Sequence, residues 1–128
     1  MSNVEVIHKL YRCFREKDYE SFRRICTDDL VWIQNEGFPN GATHIGPEAV
    51  IEGVFKGNLS EWEGFTYRMD ELLDAGSSVI VIGQYEGHHH ITKKQMRAVA
   101  AHVYDLREGK VSRFRMFADT KPMWDAMS

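Results

Sequence analysis

The apolar positions of this chain change their period partway along it. Near the start, Ile7, Leu10, Tyr11 and Phe14 recur at the i, i+3, i+4, i+7 spacing of one helical face. That spacing predicts a helix from about Asn3 to Glu16. Asp18 is placed to cap a short second helix with Phe22, Ile25 and Cys26 on its buried side. Leu30 to Asn35 reads as a strand, and Glu36 to Gly46, with its glycines and Pro39, as a loop. Pro47 suits the first position of a third helix, where its missing N–H costs nothing. Val50, Val54 and Phe55 would point inward from that helix, which frays near Gly57.

The second half is built differently. Glu63–Asp74, Ser78–His89, Gln95–Arg107 and Lys110–Asp119 are apolar-rich stretches separated by short turn signals at Ala75-Gly76-Ser77, Thr92-Lys93-Lys94 and Glu108-Gly109. Long strands with such short connections pair antiparallel, as a meander. Helices first and strands last predict an α+β domain: a strongly curved antiparallel sheet with three N-terminal helices on its concave face. Pro122 then opens a short closing helix, Met123 to Met127. No repeat, low-complexity tract or linker interrupts the 128 residues, so a single domain over 1–128 is expected.

Val79 and Val81 fall on one face of their strand, and Ile80 and Ile82 on the other. A sheet with one wet face alternates apolar with polar more cleanly. One face is therefore expected to meet the helices and the other a second copy of the chain, in a homodimer.

Composition narrows the picture mainly by exclusion. Sixteen Lys and Arg stand against 19 Asp and Glu, a formal charge of −3, which gives no electrostatic case for nucleic acid or an anionic membrane. No apolar run approaches the roughly 20 residues that span a bilayer. The first ten residues read as a helix start and not as a signal peptide. Cys13 and Cys26 fall on apolar positions of the predicted helices, as buried reduced thiols do. A cytoplasmic location is the expectation.

Several local stretches carry a resemblance. Lys17-Asp18-Tyr19, Thr27-Asp28-Asp29-Leu30-Val31-Trp32, Glu36-Gly37-Phe38-Pro39, Gly46-Pro47-Glu48-Ala49-Val50, Asp74-Ala75-Gly76, Arg107-Glu108-Gly109-Lys110-Val111 and Phe114 to Thr120 come in the order seen in SnoaL-like and ketosteroid-isomerase-like proteins. The chain thus resembles that family over nearly its whole length. The resemblance implies the cone-shaped nuclear transport factor 2-like (cystatin-like) fold around one apolar pocket. It does not imply one chemistry, since the scaffold hosts unrelated enzymes and plain binders.

Alternation sorts the strand side chains by face. Trp32 and Gln34 share one side of the first strand, and Glu36 extends it. Arg113, Arg115, Phe117 and Asp119 share one side of the last strand, with Phe114, Met116 and Ala118 on the other. By resemblance, Asp119 falls where SnoaL-like cyclases keep a general-base aspartate and limonene epoxide hydrolases an acidic residue. The Asp119 face is therefore taken as the pocket face, an assignment that a β-bulge would reverse. Burial would raise the pKa of such a carboxylate and make it a better base. Capping the closing helix, or pairing with Arg115, would account for Asp119 as well.

The better-known chemistries of the fold lack their residues here. Where the resemblance puts the isomerase tyrosine and two aspartates stand Leu10, Gln34 and Ala101; where it puts the epoxide hydrolase arginine and second aspartate stand Gly83 and Tyr85. His88-His89-His90 offers only two same-face imidazoles with no third ligand beside them, so no metal is expected and the run reads as an exposed strand end. His102 lies on the strand next to that of Asp119 and could orient or protonate a ligand, or serve as an interior histidine. Trp32, Phe55, Tyr85 and Phe117 would give the pocket aromatic walls suited to a small apolar or aromatic ligand. No phosphate-binding loop or nucleotide fingerprint is present, and no cofactor is expected.

Two readings stand. One is a cofactor-independent isomerase, cyclase or hydratase with Asp119 and His102 as catalytic groups and Gln34, Glu36 and Arg115 placing the ligand. The other is a binding or accessory protein using the same pocket without turnover.

Overall fold

A computed structural model describes residues 1–128. Helix α1 spans Asn3–Glu16, opened by a reciprocal capping box between Ser2 and Glu5. Its buried stripe is Val6, Ile7, Leu10, Tyr11 and Cys13. Lys17 turns the chain in the left-handed region, and Asp18 caps α2 (Tyr19–Arg24) by accepting from the Ser21 N–H. Strand β1 is Cys26–Ile33 and β2 is Thr43–Ile45. Cys26 therefore opens a strand; it was expected at the end of a helix, and its burial satisfies either pattern. Both thiols are free and buried, and burial pushes that of Cys26 up to about 12.

The third helical segment runs further than Gly57. Helix α3 (Pro47–Val50) widens into one π turn at Ile51–Phe55 and continues as α4 (Lys56–Glu61). A π turn adds a residue to the helical register and recurs at functional sites. The strands follow as β3 (Trp62–Ala75), β4 (Ser78–His89), β5 (Gln95–Arg107) and β6 (Lys110–Ala118), and α5 (Lys121–Met127) closes the chain.

All six strands form one sheet in the order β2-β1-β6-β5-β4-β3. The four long strands are an antiparallel meander, and β1 joins β6 in parallel. The helices lie against one face, and a single cluster of 30 buried apolar residues fills the space between. On β4, Val79, Val81 and Tyr85 point into this core, while Ile80 and Ile82 are half-buried on the opposite face. That outer face also carries Leu73, Val99 and Phe117, all exposed.

Gly83 sets the spacing of the inner face. A Cβ at this position would lie 2.0 Å from the Arg68 carbonyl oxygen and 2.9 Å from the Tyr67 ring. Glycine is what lets β3, and with it Tyr67, come this close to β4.

Candidate functional site

Between α1, the π turn and the concave face lies a cavity walled by Leu10, Tyr11 and Phe14 of α1, Val54 and Phe55 of the π turn, and Asn58 of α4. The sheet supplies Trp32, Phe65, Tyr67, Tyr85, His102, Tyr104 and Phe114, with Gln34 just beyond the end of β1. The room inside is about 40 Å³ measured at the centres of water-sized atoms, space for a few water molecules. A wider cleft of about 170 Å³ adjoins it and shares the walls Tyr11, Phe14, Phe65 and Tyr67. Arg15 and Lys17 line that outer cleft.

One hydrogen-bonded chain runs through the inner cavity. Tyr104 donates to the Tyr11 oxygen at 2.9 Å, and Tyr11 lies 2.6 Å from His102 Nδ1. On the far side of the imidazole, Tyr85 lies 2.6 Å from His102 Nε2 and donates to Met116 Sδ at 3.1 Å. The direction of each bond follows from the count of protons. The Tyr85 proton goes to sulfur, so its oxygen accepts from Nε2–H. A neutral imidazole then offers Nδ1 as acceptor, and Tyr11 donates to it. The opposite polarity would leave the Tyr11 proton without an acceptor, since the Tyr11 oxygen already accepts from Tyr104. Burial holds His102 neutral, with its pKa lowered to about 3, and pushes Tyr11, Tyr85 and Tyr104 well above the ordinary phenol value. Tyr67 stacks on His102 at 4.1 Å between ring centroids and gives its own proton to the Ala100 carbonyl at 2.8 Å.

Of the side chains expected at the site, Trp32, Gln34, Phe55, Tyr85 and His102 line this cavity. Asp119, Arg115, Phe117 and Glu36 do not. Phe117 is 56% exposed, and Glu36 and Asp119 are exposed too. Strand pairing explains the reversal. His102 sits opposite Met116 and Tyr104 opposite Phe114, and directly paired residues share a face. Since His102 and Tyr104 face the cavity, Phe114 and Met116 must as well, and Arg115 and Phe117 must face outward. Trp32 agrees, stacking on Phe114 at 3.8 Å. Arg115 lies 3.7 Å from Asp105, not from Asp119. The Asp119 carboxylate makes no hydrogen bond or ion pair, and α5 begins without a side-chain cap.

Three phenols, Tyr11, Tyr67 and Tyr104, are among the lining residues that sequence reasoning missed. In the sequence Tyr11 is one of several apolar positions on a helix, and Tyr67 and Tyr104 fall within strand stretches that carry no motif. The signal available was their number: five tyrosines in 128 residues, three of them on meander strands beside a histidine.

The histidine run is not an exposed strand end throughout. His89 is buried, and its Nδ1 accepts from the backbone N–H groups of Ile91 and Thr92 at 3.3 and 3.4 Å. Its Nε2 therefore keeps a proton, which it donates to Glu61 at 2.8 Å. Glu61, His89 and His90 are grouped closely, but His89 has no lone pair left to offer a cation.

A curved sheet closed by helices over one apolar cavity defines a nuclear transport factor 2-like protein. The chain belongs to the SnoaL-like family, whose domain model matches residues 7–114. Among solved structures, a nuclear transport factor 2-like protein from Burkholderia thailandensis is similar at 28% identity and a TM-score of 0.95, with 100% of this chain and 98% of that one covered. One of unknown function from Burkholderia pseudomallei is 20% identical, with a TM-score of 0.88 and 100% and 99% coverage. TerC, co-crystallised with polyporic acid, is 24% identical, with a TM-score of 0.84 and 98% and 97% coverage. No curated protein matches at a significant level. No helix is long and apolar enough to cross a membrane.

Proposed function

We propose that this chain is a binding protein for a small, uncharged, mostly apolar molecule that enters the inner cavity from the adjoining cleft. The lining side chains move apart to admit it, since the room at rest holds only a few waters. The observation that carries this reading is the lining itself. None of its 14 residues is Asp, Glu, Lys or Arg. Its one imidazole is buried and neutral. A charged ligand would have to shed its hydration there without a counter-charge, at a cost of several kcal/mol or more. Acid–base turnover through Asp119 loses its support, because that carboxylate lies outside the cavity. The proposal includes a second copy of the chain over the apolar outer face of the sheet.

Titration with one-ring neutral aromatics, acetophenone among them, tests the reading by nuclear magnetic resonance. Shifts should concentrate on Leu10, Val54, Tyr85 and Phe114. Val54→Phe, which fills the cavity, should abolish them, and Asp119→Asn should leave binding unchanged. Absence of uptake by the wild-type protein, or equal uptake by Val54→Phe, would refute it.

A further inference from the structure

The ledger of donors in the cavity does not balance, and the surplus points to one kind of ligand. Each phenol proton has an acceptor: Tyr104 gives to Tyr11, Tyr85 to Met116, and Tyr67 to the Ala100 carbonyl. Tyr11 gives to His102 Nδ1, and the Nε2 proton goes to Tyr85, by the proton count above. The Trp32 indole N–H is also used, reaching Gln34 at 3.2 Å. An indole nitrogen can only donate, so the Gln34 atom facing it is the carbonyl oxygen Oε1. That contact settles which way the amide points. The other end, the Nε2 amino group with two N–H donors, has no acceptor within the chain and keeps some accessible surface, on a residue that lines the cavity.

Gln34 is 5% exposed as a whole and lines the cavity. An amide donor on a cavity wall that the chain leaves unpaired can meet water or a ligand's acceptor, and an apolar ligand that displaces the water leaves it unpaired at a cost in free energy. Its position is held on both sides. The Trp32 bond fixes the carbonyl end, and the backbone N–H of Gln34 donates to Ala42 at 2.9 Å. Asn58, from α4 across the cavity, lines the same space and makes no side-chain hydrogen bond.

We propose that Gln34 is the specificity-determining residue of the cavity and that the ligand is an uncharged molecule with a carbonyl oxygen, which accepts the Nε2–H donors of Gln34. The inference rests on the binding function proposed above and specifies its ligand class. The rings of Trp32, Phe55, Phe65 and Phe114 hold the apolar body, and the amide selects the polar group. An anion meets no cation there, since Arg15 and Lys17 belong to the outer cleft. An apolar molecule of the same shape leaves the amide unpaired, and sites built to hydrogen-bond a ligand discriminate strongly against analogues that cannot.

The test uses three probes of nearly the same outline. Acetophenone carries the carbonyl, α-methylstyrene replaces its oxygen with a methylene, and benzoate replaces the methyl with a charged oxygen. Dissociation constants are measured by calorimetry on the wild-type protein and on Gln34→Met, which keeps an unbranched side chain without the N–H donors. The ratio of acetophenone to α-methylstyrene affinity should fall about tenfold in the variant. Benzoate should bind the wild-type protein at least about tenfold more weakly than acetophenone. Should Gln34→Met fail to fold, Gln34→Leu provides the same comparison. In the wild-type protein alone, the Gln34 side-chain amide protons should move downfield with acetophenone and not with α-methylstyrene. An unchanged ratio, an unmoved amide, or benzoate binding as tightly as acetophenone would overturn the assignment while leaving a binding cavity in place. Failure of all three probes would instead overturn the binding function, and this inference with it.

Discussion

Acidification should destabilise this protein through His102, by an amount that its burial sets. The unfolded imidazole titrates near the ordinary 6.5, whereas the folded one is held down to about 3. Between those values the unfolded chain takes up a proton that the native state refuses. The stability contributed by the neutral ring is therefore whole above about pH 6.5 and drains away as the pH falls towards 3. The slope is about 1.4 kcal/mol per pH unit, so about 2 kcal/mol is lost by about pH 5. Other titrating groups act over the same window, and His102→Phe separates them, since they are common to both proteins. The variant leaves the Tyr11 hydroxyl without its acceptor and the Tyr85 oxygen without its donor, a cost of about 2–6 kcal/mol at pH 8. Urea melts at pH 8 and pH 5 should show the gap between the two proteins narrowing by about 2 kcal/mol on acidification. Nitrogen-detected titration of the wild-type imidazoles gives the same answer without a variant. His102 should remain the Nε2–H tautomer, with no midpoint above about pH 5. A constant gap, or a His102 midpoint near 6.5, would refute the proton count on which the cavity's polarity rests.

Two further outcomes bear on the frame around the cavity. Gly83→Ala should destabilise the fold by about 1–3 kcal/mol, because its Cβ meets the Arg68 carbonyl and the Tyr67 ring; unchanged melting would show that β3 can give way at no cost. The apolar outer face, with Leu73, Val99 and Phe117 exposed, should be covered by a second copy. Sedimentation equilibrium at micromolar concentration should then show twice the 14.8 kDa chain mass, and a single 14.8 kDa species would exclude the dimer.

Local pattern sufficed for the elements because local physics makes them. The helical stripe of α1, the Asp18 cap, Pro47 at a helix start and the two-residue alternation of the meander each depend on residues within a few positions of one another. The family resemblance carried the same order through to the fold. Alternation also determined correctly that Arg115, Phe117 and Asp119 run together, apart from Phe114 and Met116. It could not say which group faces inward, since a period of two fixes membership of a face and not the face's surroundings. Both faces here are apolar enough to be a core. Only the docking of α1 and the π turn on one side decided it, and the pairing of β5 with β6 then carried Phe114 and Met116 to the cavity. The hydrogen-bonded chain lay further out of reach. Tyr11 and Tyr104 are 93 positions apart, and Tyr11 and His102 are 91 apart. A tyrosine on an apolar stripe looks the same in the sequence whether its hydroxyl meets water or a buried imidazole, because the partner is supplied by chain brought close only on folding.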